Sequence, residues 1–198
     1  VAGVSLRVLE AGDGPPLLIL HHDIGTLERL PFYDAMAEHH RVMVPVHPGW
    51  GLHSERAEWM RSVRDLAVLY RLLLAERDLN SVHLLGLGFG GWIAAEMATM
   101  SPREVNKLVL VGAMGIQPES GFILDMAVEG YLDYARAFFH DPSRFDALYG
   151  EPDGDMLEAF DMCREMCFRI AWKPYMFSQT LPELLRGMRA ETLLVWGD

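Results

Sequence analysis

Apolar residues along the chain follow two rhythms. LLIL (17–20), RVMVPV (41–46), SVHLLGL (81–87), KLVLVGA (107–113) and TLLVWGD (192–198) are short, nearly unbroken apolar runs. Runs of that length suit strands buried on both faces. SLRVLEAG (5–12) alternates instead, as a half-covered strand does, and the turn residues Asp13-Gly14-Pro15-Pro16 close it. Between the runs the spacing changes to threes and fours. Met60, Val63, Ala67, Tyr70 and Leu74 predict a helix within 55–77, GWIAAEMATM (91–100) predicts another ended by Ser101-Pro102, and 27–40 predicts a third broken at Pro31.

Strand and helix alternating in this way predict an α/β fold, a mainly parallel sheet with helices on both faces. Residues 116–190 interrupt the rhythm. FILDMAVEGYLDYARAFF and DMLEAFDMCREMCFRIAW both look helical, and Met156, Phe160, Cys163, Cys167 and Ile170 form one apolar stripe on the second. The expected organisation is therefore a core over 1–115, a helical insertion over 116–190 and a return to the sheet over 191–198. Such an insertion reads as a lid whose methionines and aromatics line a pocket. Ordinary helix packing is the competing reading.

Composition narrows the partners. Seventeen basic against 28 acidic residues leave a net charge of −11 in 198 residues, and no Lys/Arg cluster stands out. Nucleic acid and anionic membrane surfaces need a concentrated positive face, so neither is expected. No apolar run reaches bilayer length and no signal-peptide pattern opens the chain, so a cytoplasmic location is the default. The first residue is Val1 rather than Met, which suggests a trimmed start. Cys163 and Cys167 alone make an incomplete metal site, and buried free thiols are the expectation. Gly86, Gly88, Gly90 and Gly91 do not have the spacing of a dinucleotide loop, and no ribose-binding acid follows about 20 residues on. No cofactor is expected.

Five segments, in order, carry a resemblance. LLILHHDIG (17–25) is similar to a strand and its His-Gly oxyanion loop, and VMVPVHPGWGLHS (42–54) to the next strand with its Pro-Gly turn. LLGLGFGGWIAAEMA (84–98) is similar to a Gly-x-Ser-x-Gly strand-to-helix turn with its helix. KLVLVGAMGI (107–116) is similar to the strand leading into a lid, and TLLVWGD (192–198) to the strand before a catalytic acid. Together they resemble the α/β-hydrolase family. The resemblance implies a lidded pocket for a small apolar substrate and an ancestral hydrolysis of an ester, carbon–carbon or related bond.

The implied site departs from the pattern. Gly88 stands at the nucleophile position, and glycine has no side chain with which to attack an acyl carbon. By the resemblance Phe89 and Asp23 occupy the positions of the oxyanion donors, and His22, Trp50 and Trp92 are the expected substrate contacts. His22 replaces the glycine after the family histidine, His21, and Val46 replaces the aspartate before the Pro-Gly turn. Asp198 is a weak candidate for the acid, and no histidine follows it in this sequence. The resemblance thus implies a family member that is inactive as written, with Gly88 a natural loss or an introduced change; His22 and Asp23 favour natural drift.

Three further expectations follow. A non-catalytic receptor for a small hydrophobic ligand is the alternative function, with Gly88 enlarging the cavity floor. A metal gathered by His21, His22, Asp23, His47 and His53 is a third reading, disfavoured because His21 belongs to the family loop and His47 and His53 to a loop that is usually exposed; no metal site is assigned. Finally, TLLVWGD is expected to form an open sheet edge, so that either the sequence is a fragment or a second copy covers that edge.

Overall fold

In the computed structural model, which describes residues 1–100 and 103–197, six strands form one sheet in the order β1-β3-β2-β4-β5-β6. The strands are β1 (Val8–Ala11), β2 (Pro16–Leu20), β3 (Arg41–Pro45), β4 (Val82–Leu87), β5 (Val105–Val111) and β6 (Glu191–Val195). β1 pairs antiparallel with β3, and every other pairing is parallel. The centre of the sheet is the most apolar part of the chain. Leu18, Ile19, Leu20, Met43 and Leu84 are fully enclosed, each contributing about 1.5–3 kcal/mol of burial. The α/β expectation holds.

Helices α1 (Pro31–Ala37), α2 (Val63–Glu76) and α3 (Phe89–Met100) are the crossovers between the parallel strands. The expected helix over 27–40 begins only at Pro31. Proline lacks the N–H that a first-turn residue leaves unpaired anyway, so Pro31 starts the helix rather than breaking it. The expected helix over 55–77 is likewise shorter. Ser62 caps its N-terminus, accepting from the Asp65 N–H at 3.2 Å while the Asp65 carboxylate accepts from the Ser62 N–H at 2.9 Å. Met60 is buried, yet it lies in the turn before that cap. The expected helix stop at Ser101-Pro102 lies outside the described residues.

Between β5 and β6 the chain forms four more helices: α4 (Tyr131–Arg136), α5 (Ser143–Tyr149), α6 (Gly154–Ala171) and α7 (Leu181–Leu185). The apolar stripe of α6 is buried at Phe160, Cys163, Met166, Cys167 and Ile170, and both thiols are free. The first expected helix shrinks to α4 because 122–129 is irregular up to Gly130. β6 is an edge strand, with Leu193, Leu194 and Trp196 exposed on and beside it. Among the described residues no helix is long and apolar enough to cross a membrane.

Candidate functional site

The C-terminal ends of β2, β3 and β4 bring three loops together. β4 ends at Leu87 and α3 begins at Phe89, so the reversal falls on Gly88 alone. Its φ of +52° lies in the left-handed region that glycine enters without strain. The Gly88 N–H donates to Val111 O at 2.9 Å and its carbonyl accepts from the Met114 N–H at 3.0 Å, which fastens the turn to the end of β5. Gly90 lets α3 pack directly on β2, since a Cβ there would overlap the Leu20 carbonyl oxygen. Phe89 is fully buried, and as the first residue of α3 its N–H has no intrahelical partner.

The side chain missing from residue 88 has a neighbour in its place. A Cβ on Gly88 would lie 2.5 Å from His22 Nδ1, a separation that real side chains do not tolerate. The His22 ring sits over the turn, packs 5.5 Å from Phe138, and keeps Nδ1 buried without a hydrogen-bond partner among the described residues. Burial lowers its pKa to about 4, so the imidazole is neutral. Gly88 therefore does not enlarge a cavity floor as the sequence suggested, because His22 fills the space.

His21 and His47 form a second, closed arrangement behind it. Their rings stack at 3.6 Å. His21 Nε2 accepts from the His47 backbone N–H at 3.0 Å, so its proton is on Nδ1, which donates to His22 O at 2.7 Å. His47 Nε2 donates to His21 O at 3.1 Å, and its Nδ1 accepts from the Tyr70 hydroxyl. Burial pushes the pKa of His21 down to about 3 and that of His47 in the same direction. His47 is thus buried, against the expectation of an exposed loop residue, while His53 on the same loop is exposed. With every ring nitrogen of His21 and His47 engaged, neither has a lone pair left for a metal. No group of three or more His, Cys, Asp or Glu side chains able to hold one occurs among the described residues.

Asp23 is buried and turned toward the helical insertion. Its Oδ2 accepts from the Tyr134 hydroxyl at 2.7 Å, while Oδ1 has no partner among the described residues. Burial raises its pKa to about 6, against the lowering effect of the Tyr134 hydrogen bond. Trp50 Nε1 donates to Asp23 O at 3.0 Å, and Trp92 Nε1 to Glu96 Oε1 at 3.4 Å.

A cavity of about 930 Å³ opens between the sheet and the insertion, lined by Leu110, Met114, Ile123, Tyr134, Phe138 and Trp196 among others. Its walls are overwhelmingly apolar. None of His22, Trp50 and Trp92 is on the wall of this cavity: Trp92 packs against its lining residue Gly115, and Trp50 borders a separate cavity of about 230 Å³. The structure thus gathers Gly88, Phe89, His22 and Asp23 at one sheet end, and leaves the two tryptophans in the core. Asp198 lies outside the described residues. Tyr134, which ties the insertion to Asp23, was not singled out from the sequence.

Residues 17–198 match the alpha/beta hydrolase family along their length. The chain belongs to that family. This alpha/beta hydrolase is 28% identical over 211 aligned residues to a 2-hydroxy-6-oxononadienedioate/2-hydroxy-6-oxononatrienedioate hydrolase of Cupriavidus pinatubonensis, covering 99% of this chain and 71% of that protein. It is 32% identical over 123 residues to a 1-acylglycerol-3-phosphate O-acyltransferase of Arabidopsis thaliana, covering 59% of this chain and 29% of that protein. The chain thus spans under a third of the length of the first two curated relatives it matches. The crystal structure of a meta-cleavage product hydrolase superposes with a TM-score of 0.73 at 20% identity, covering 99% of this chain and 77% of that one. At that identity the likeness concerns the fold alone.

Proposed function

We propose that this alpha/beta hydrolase family member binds a small apolar molecule beneath residues 116–190, acting as a lid, and does not perform serine-based acyl transfer. One observation carries the reading: the imidazole of His22 stands where a side chain on residue 88 would begin. A hydroxyl nucleophile needs that position, raised above the sheet on the turn, with an N–H such as that of Phe89 facing the developing oxyanion. Glycine supplies no nucleophile, and the ring above it supplies a neutral wall.

The pocket supports binding of an apolar body. A cavity of about 930 Å³ has room for a small molecule, and its lining offers few polar groups to orient a charged one. Two relatives that align with 99% of the chain are named for hydrolysis, so the ancestral reaction in this reading is cleavage of a small ester, carbon–carbon or related bond.

The test pairs turnover with binding. Incubation with a nitrophenyl butyrate is expected to give neither a burst nor steady release above buffer, and a fluorophosphonate probe is expected to leave the protein unlabelled. A solvatochromic apolar dye is expected to bind saturably and to be displaced by small hydrocarbons. Stoichiometric fluorophosphonate labelling, or ester turnover that follows the protein through purification, would overturn the reading.

A further inference from the structure

The insertion rests on the loop after β2 at three points. Phe138 packs 5.5 Å from the His22 ring, and Tyr134 donates its hydroxyl proton to Asp23 Oδ2 at 2.7 Å. Cys163 Sγ sits 3.3 Å from where a Cβ on Gly25 would stand. Asp23 lies in the middle of this contact and is buried. An ionised carboxylate has room for about four hydrogen bonds, yet Oδ1 has no partner among the described residues. No cation compensates a charge there. α4 brings Tyr131 and Tyr134 within the field of the carboxyl, α5 brings Tyr149, and α6 brings Cys163 and Cys167. Burial pushes the pKa of each of the five upward, so all are neutral, as are His21 and His22 on the Asp23 loop itself. Arg164 of α6 stands over the Tyr131 ring at 5.7 Å, but it is paired with Asp161 at 2.6 Å.

A buried carboxylate with no cation beside it either takes a proton or reaches water. We infer that Asp23 is a proton-sensitive latch of the insertion: protonated, it stays in the contact, and ionised, it favours parting of the insertion from loop 22–25 so that water reaches it. Tyr134 is at once the latch partner and part of the cavity wall, so parting moves that wall. The ion pairs Arg56–Glu165 at 2.8 Å and Arg169–Glu58 at 3.0 Å tie α6 to the core from the exposed rim, which keeps the insertion attached while the inner contact parts. The sign follows from the two environments. Within the contact the Asp23 pKa is about 6, against 3.8 for a hydrated carboxyl. The contact therefore holds the proton more tightly, and acid favours the contact. From pH 7 to pH 5 one such group shifts the balance toward the contact by about tenfold, and above pH 7 it shifts nothing further. The inference goes beyond the binding reading and needs no ligand.

The protein carries its own probe of this contact. Cys163 and Cys167 are its only cysteines, and both are buried on α6 where the insertion meets the core. Their labelling by dithiodipyridine is measured at pH 7, 6 and 5, in the native protein and in the urea-unfolded chain. The ratio of the two rates at each pH cancels the intrinsic pH dependence of thiol reactivity and leaves the protection given by the contact. Protection is expected to rise about tenfold from pH 7 to pH 5. Whole-chain unfolding predicts the reverse, because the buried histidines make the fold less stable in acid over the same range. Asp23→Asn has no proton to gain, so its protection is expected not to rise. Should Asp23→Asn fail to fold, Tyr134→Phe decides: it keeps the carboxyl but removes the bond that lowers its pKa, so the rise is expected to begin at higher pH. Protection that is flat or falling from pH 7 to pH 5 overturns the latch. A rise that persists in Asp23→Asn, or one whose onset Tyr134→Phe leaves in place, assigns the proton to another group and overturns it as well.

Discussion

A missing side chain at residue 88 and an added one at residue 22 occupy the same few cubic ångströms, so the two positions are expected to respond to substitution as a pair. Gly88→Ser alone places a Cβ 2.5 Å from His22 Nδ1, and overpacking of that kind destabilises by about 1–3 kcal/mol. Adding His22→Gly makes room but leaves the strain of a side chain at a φ of +52°, so the double variant is expected to recover part of the loss, with a coupling of about 0.5–3 kcal/mol. Urea unfolding of the two single variants and the double measures this directly; additive effects would mean that the ring simply swings aside. Both departures are legible in the sequence, one in the Gly-x-Gly-x-Gly turn and one in the His-His-Asp loop. That the second fills the space of the first is not, because nothing in residues 66 positions apart in the chain encodes a contact. A second residue-scale prediction concerns Asp23. The Tyr134 hydrogen bond lowers its pKa, so Tyr134→Phe is expected to raise it above about 6, read from the carboxyl carbon shift in an NMR titration. An unchanged or lower value would mean that the Tyr134 hydroxyl does not hold the pKa down.

Elements were legible where the pattern had one cause and misread where two causes overlapped. The strands β2 to β5 fall within a residue or two of their apolar runs, because a strand buried on both faces has to be continuously apolar. Helix starts were harder to read. Met60 keeps the helical spacing of Val63 and Ala67, yet the Ser62–Asp65 capping box fixes the first turn after it, and local side-chain hydrogen bonds override the apolar rhythm there. Ser62→Ala is accordingly expected to destabilise the protein by about 0.5–2 kcal/mol, measured by thermal or urea unfolding. A change within a few tenths would place the stability of α2 in its packed face alone. The insertion was legible as helical but not in its division, since Gly130 and the irregular stretch before it shorten α4 to the face that carries Tyr131 and Tyr134, with Phe138 in the turn that follows. That short face is what meets Asp23 and His22, so the geometry of the site depends on the element whose bounds were least readable.

At the scale of the whole molecule, the three neutral histidines at the sheet end make folding sensitive to acid well above the carboxylate range. The pKa of His21 falls from 6.5 to about 3 and that of His22 to about 4, and that of His47 is displaced in the same direction, all through burial. Between pH 6.5 and about 4 the unfolded chain therefore binds protons at these positions that the folded one does not. Stability rises with pH wherever the unfolded state holds more protons. The contribution is fully present above pH 6.5 and is lost as the pH falls. Asp23 acts the other way. Its folded pKa of about 6 exceeds the ordinary 3.8, so between those values the folded state holds the extra proton and gains stability on acidification. Three histidines against one carboxyl leave a net uptake of protons on unfolding near pH 5, so stability falls as the pH is lowered through that range. Glu10, whose pKa is lowered by its hydrogen bonds to Arg77 and Arg41 against the opposing effect of burial, adds to the loss only in more acidic solution. Urea midpoints at pH 7, 6 and 5 are expected to fall progressively, and Asp23→Asn is expected to steepen the fall between pH 6 and 4 by removing the opposing proton. A flat profile from pH 7 to 5 would mean that the His21–His47 stack opens and hydrates before the fold gives way.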